Sequence, residues 1–175
     1  MDKPQAPITR DLFAEFYVAG LLADAGWHIY LPKRDYGFDF IATKRVNDSI
    51  VIRPVQVKGL YPTASKTNKA TYGYTGTLTQ IHPDMVLAVT FFDPTHQPSP
   101  LFTAFLPHSQ IRKGTKPQQY RAFPALFRNG KARKRRDFRH FFDADGLKLM
   151  ETEDFPKAEI EKPTGGANVE TEEGA

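Results

Sequence analysis

The chain has 175 residues, 40% of them apolar and 13% aromatic, enough for one domain with a real core. It has no cysteine, which excludes disulfides and thiolate zinc sites, and its five histidines show no close metal-ligand spacing, so any metal would be held mainly by oxygen. The net charge of +4 is uneven: residues 1–150 carry 22 basic and 12 acidic side chains (+10), whereas residues 151–175 carry 2 and 8 (−6). A basic body suits a polyanionic partner, because lysines and arginines displace counterions from a phosphate backbone; the plainer alternative is a soluble surface. The N-terminus lacks an apolar signal core, and the longest apolar stretch, near 85–92, is too short to cross a bilayer. A soluble, cytoplasmic protein without a membrane partner is expected.

Thr9 as N-cap, Asp11 in the first turn and Gly26 as terminator predict a helix over about 10–25. Its apolar stripe is read as Leu12, Phe16, Ala19, Leu22 and Ala23. At 100° per residue Glu15 falls within that stripe, so its carboxylate should face the interior, or sit at the rim with its head in water. A short strand, 27–31, and a turn containing Lys33 and Arg34 lead into a second strand running to Thr43. Asn47-Asp48 is the next turn. A third strand spans 50–58, with Val55 and Val57 on one face and Gln56 and Lys58 on the other. Pro54 removes a ladder donor, which predicts a bulge or an unpaired position there.

Residues 61–80, rich in Thr, Ser, Lys, Tyr and Gly, read as a mobile loop. Strands over 85–92 and 101–106 follow, then a short helix near His108. Lys131, Arg133, Lys134, Arg135, Arg136 and Arg139 place six bases in nine residues, either a phosphate-binding stretch or a solvated face. A terminal element near 147–150 closes a single domain, 1–150, and the acidic remainder, 151–175, is expected to be disordered. The architecture is α/β: a mixed central sheet flanked by helices, the first helix packed on it.

Two strand segments carry polar groups where burial favours apolar ones: Gly37-Phe38-Asp39 and Gln56-Val57-Lys58. A carboxylate, an amide oxygen and an ammonium on neighbouring strands can hold a hard cation and polarise a water beside it. Together with Glu15 upstream, these residues resemble the PD-(D/E)xK, or restriction-endonuclease-like, nuclease superfamily, in its Mrr-like or resolvase-like branches, over roughly residues 9–106. The resemblance implies a restriction-endonuclease-like core and Mg²⁺-dependent cleavage of DNA, with Mn²⁺ as a possible substitute and homodimers common. Asp39 would be the metal-binding acid, Gln56 would stand where Asp or Glu is more usual, Lys58 would be the motif lysine, and the Val57 carbonyl and Glu15 would complete the ligands. Gln56 removes one negative charge from such a site, so a nuclease-like fold that binds DNA, RNA or a protein without cutting is the alternative. An Asp39–Lys58 salt bridge between structural strands would also explain the pattern. Lys66, Lys69, Tyr72 and Tyr74 could touch nucleic acid through phosphate pairing and base stacking, or serve as loop packing.

Overall fold

The computed structural model describes residues 8–34, 37–61, 67–93 and 100–161. Helix α1 (Ile8–Asp24) ends in a Schellman closure: Trp27 N–H donates to Leu22 O, Gly26 N–H donates to Ala23 O, and Gly26 has φ 85°. The buried stripe is Ala14, Val18 and Leu22, whereas Leu12 (48% exposed), Phe16 (59%) and Ala23 face outward. Leu22 of the expected stripe is therefore buried, whereas Leu12 and Phe16 lie on the other side of the helix. Packing is tight at one point of this face, where a Cβ built on Gly59 would lie 3.0 Å from Ala14 Cβ.

Five strands form the central sheet in the order β1-β2-β3-β5-β6: β1 (His28–Tyr30), β2 (Phe40–Val46), β3 (Ser49–Leu60), β5 (Val86–Phe92) and β6 (Pro100–Pro107). β3 and β5 are parallel and the other pairs antiparallel, so the chain is mixed α/β with a mixed sheet. Asn47, at φ 52°, lies in the expected β2–β3 turn. Pro54 produces no bulge; it is instead unpaired toward β5, the other outcome expected of it. It pairs with Ile41 in unbroken register, and the ladder to β5 starts only at Val55, so the missing donor breaks no bond on that side.

The expected mobile loop contains β4 (Lys69–Thr77). It belongs to a second sheet, ordered β4-β8-β7, with β8 (Gln119–Arg128) central, β7 (Arg112–Lys113) beside it and β9 (Lys131–Lys134) also paired to β8. Alternation on β5 divides the core. Val86 and Ala88 meet α1, Phe40, Val55 and Val57, while Leu87, Val89 and Phe91 meet Tyr74, Leu78, Ala122 and Phe127 of the second sheet. A sheet, not a helix, thus covers the second face of the central one.

The folded body continues past residue 150. After α2 (Asp143–Leu149), buried Arg53 donates from Nε to Met150 O at 3.1 Å and from Nη2 to Thr152 O at 2.7 Å. Phe155 is fully buried beneath the Arg53 guanidinium, 5.2 Å from its ring centroid. Glu151 pairs with Lys44, and Glu161 with Arg139. The disorder expected from 151 onward therefore does not apply to 151–161, and residues 162–175 lie outside the described chain. Among the described residues no helix is long and apolar enough to cross a membrane.

Candidate metal and nucleic-acid site

The β2–β3 ladder begins at Phe40 opposite Val55, and Asp39 sits one residue before it. Asp39 is fastened to β3 twice: its N–H donates to Val55 O at 2.9 Å, and Oδ2 accepts the Val57 N–H at 2.5 Å. Gly37 sets up this entry. Its φ of 87° is left-handed, and a Cβ there would lie 2.6 Å from Gln80 Cγ, so the chain can pass Gln80 only without a side chain.

Strand alternation sends Val55 and Val57 toward α1, and Gln56 and Lys58 toward the second sheet. Gln56 is 6% exposed, and its buried Oε1 accepts no hydrogen bond among the described residues. Half-buried Lys58 holds Nζ 5.8 Å from the centroid of the Tyr74 ring. Tyr74 donates its hydroxyl to Thr77 O, and burial raises its pKa, so the ring beside Lys58 is a neutral phenol. The contact is a cation–π approach rather than an ion pair.

Glu15 is half-buried on the flank of α1. Its neighbour Ala14 abuts Gly59, so Glu15 comes to the same end of β3 but from the face opposite Gln56 and Lys58. Register sets Asp39 against the backbone of Val55 and Val57, with Gln56 and Lys58 as their chain neighbours on the other face of β3, and Glu15 belongs to the helix that packs on the Val55 and Val57 face. Among the described residues no three His, Cys, Asp or Glu side chains are grouped to hold a metal ion. The available oxygen donors are the Asp39 carboxylate and the partnerless Gln56 amide oxygen, a set that fits one hard cation at low ligand charge.

The expected nucleic-acid residues are dispersed. Lys33 and Arg34 are exposed after β1, and Lys66 lies outside the described residues. Lys69 is exposed with Nζ over the Tyr72 ring, but that ring packs between Phe91 and Phe127, and Tyr74 is buried. Tyr74 is committed to the core, and Tyr72, partly buried, packs against it. The polybasic run forms β9 and a 3₁₀ turn (Arg136–Phe141) in which carboxylates take up much of the charge. Lys131 pairs with Asp93, Lys134 with Asp143, Arg135 with Asp137 and Arg139 with Glu161. Arg133 and Arg136 are exposed and have no ion-pair partner among the described residues.

Sequence reasoning passed over Gln80 and Arg53. A charged residue inside the apolar run 50–57 was the available signal for Arg53; nothing local marks Gln80. Comparison with family models, with curated proteins and with solved structures finds no match to this chain.

Proposed function

We propose that this protein is a metal-dependent endonuclease that hydrolyses DNA phosphodiester bonds with a restriction-endonuclease-like core. The observation that carries this reading is the buried Gln56 Oε1, without a donor among the described residues, on the strand to which Asp39 is doubly fastened. A buried acceptor left without a donor is costly, and a cation is the partner that would satisfy it together with a carboxylate. The N–H and carbonyl of a strand residue point the same way, so the Val57 carbonyl looks toward Asp39 and joins the set. Asp39, Gln56 and Val57 would hold Mg²⁺ or Mn²⁺, with Glu15 reaching the end of β3 from the helix side. When bound, such an ion supplies Lewis-acid polarisation of a phosphate oxygen and an acidified water.

Lys58 shares a face with Gln56, and its ammonium, held against a neutral ring, is available to stabilise negative charge growing on the phosphate. A homodimer would provide one such site for each DNA strand. The test is cleavage of supercoiled plasmid with Mg²⁺, Mn²⁺ or EDTA by wild type, Asp39→Asn and Lys58→Ala. Metal-dependent cutting lost in both variants supports the reading, and cutting that survives in both sinks it. The absence of a three-acid group among the described residues favours a second reading, a nuclease-like fold that binds DNA or RNA without cutting it. Salt-sensitive binding without metal-dependent cleavage would establish that one.

A further inference from the structure

On the outer face of the second sheet, Arg112 of β7 and Arg121 of β8 are direct cross-strand partners. Like charges in such positions repel, so the pair is a liability that the fold carries without visible structural return. Both side chains are exposed and line a cleft of about 250 Å³ together with Thr71, Gln110, Arg135 and Phe138. Arg135 is held rigid: Nε and Nη2 donate to the Asp137 carboxylate and Nη1 donates to Phe123 O at 3.0 Å. Asp137 compensates Arg135. Among the described residues no carboxylate forms an ion pair with Arg112 or Arg121, so two guanidinium charges remain in excess at one small concavity.

The geometry points to a binding site for a phosphate dianion, free or as a monoester, in this cleft. Two guanidinium forks match the charge and the tetrahedral oxygens of such a group better than those of a carboxylate, and Thr71 adds a hydroxyl donor at the rim. The dianion could belong to free phosphate or to the phosphorylated end of a nucleic-acid strand; both present the same three oxygens. The site is independent of the Asp39 reading. Arg121 pairs with Thr75 on β4, whose neighbour Tyr74 points inward to Lys58, so the cleft and Lys58 lie on opposite sides of the second sheet.

The test is a titration of the whole ¹⁵N-labelled protein in EDTA, where no metal site is loaded. The probes are inorganic phosphate, a 5′-phosphorylated oligonucleotide and the same oligonucleotide with a 5′-hydroxyl. Saturable shifts confined to the amides around 110–112, 121–123 and 135–138 are expected, weakened about tenfold or more in Arg112→Gln/Arg121→Gln. Tighter binding of the 5′-phosphorylated strand than of phosphate assigns a strand end, whereas equal binding of the two assigns the phosphate group alone. Three results each overturn the proposal: no saturation by phosphate, equal binding of the two oligonucleotides, or an undiminished response in the double variant. That variant removes a repulsive pair, so its melting temperature should not fall; a large fall would assign the arginines to folding and also overturn the proposal.

Discussion

Replacing Gln56 by Met separates a metal ligand from a structural side chain. Among the described residues the buried Oε1 has no hydrogen-bond donor, and a group in that condition costs about 1–3 kcal/mol. Met has nearly the same volume and no polar atom, and such swaps cost less than about 1.5 kcal/mol in a packed site. The difference predicts that Gln56→Met in EDTA is as stable as wild type or more so, by about 1 kcal/mol, which is roughly 2–4 °C in melting temperature for a chain of this size. Mg²⁺ should reverse the ranking. A ligand that binds only the folded state stabilises it by RT ln(1 + [L]/Kd), about 1.4 kcal/mol at ten times Kd, and the variant should lose that increment. Calorimetry of both proteins in EDTA and across a Mg²⁺ series reads the two effects. A variant destabilised by more than about 2 kcal/mol in EDTA would show that Oε1 is satisfied within the fold, and equal stabilisation of both proteins by Mg²⁺ would remove Gln56 from the ligand set.

Arg53→Met should lower stability by about 2–4 kcal/mol in urea denaturation, because the carbonyls of Met150 and Thr152 lose their donors and Phe155 loses the guanidinium above it. Desolvation depresses the pKa of Arg53, a cost that the variant recovers, so a loss below about 0.5 kcal/mol would mean that the two effects cancel and the latch contributes nothing net. Gly37→Ala should cost about 1–3 kcal/mol, from the left-handed φ and the contact with Gln80, and should move the Val57 amide resonance as Asp39 is displaced. Gly20→Ala is the control: nothing lies within 4 Å of its Cβ position, and a gain of about 0.5–1 kcal/mol is expected. An unmoved Val57 amide in the Gly37 variant would refute the link between that turn and the placement of Asp39.

The parts of the fold legible in the sequence are those whose cause is local. Gly26 ends α1 because its own φ permits the closure, and Asn47 turns β2 into β3 for the same reason. β5 is readable as an apolar run because both of its faces are buried, and the division of Val55 and Val57 from Gln56 and Lys58 follows from the two-residue period of a strand. The placement of Asp39 beside Val55 and Val57 was legible too, since a short hairpin fixes which residues of two strands lie side by side.

Tertiary structure decided the rest. Thr71-Tyr72-Gly73-Tyr74-Thr75-Gly76 has little apolar character and becomes a strand because β8, distant in the chain, supplies a partner and a place for two tyrosine rings. The face of α1 that carries Ala14, Val18 and Leu22, rather than the Phe16 face, meets the sheet, with Ala14 in close approach to Gly59. Residues 151–161 are acidic and poor in apolar groups, yet Arg53 and the pocket for Phe155 hold them against the sheet. The polybasic run looked like free charge because Asp93, Asp143 and Glu161, which pair with it, lie outside it, although Asp137 lies within the run itself. Sequence fixes torsions and periodicity, which act between neighbours; which charges are neutralised, and which polar atom is left without a partner, depends on contacts that exist only after the sheets have assembled.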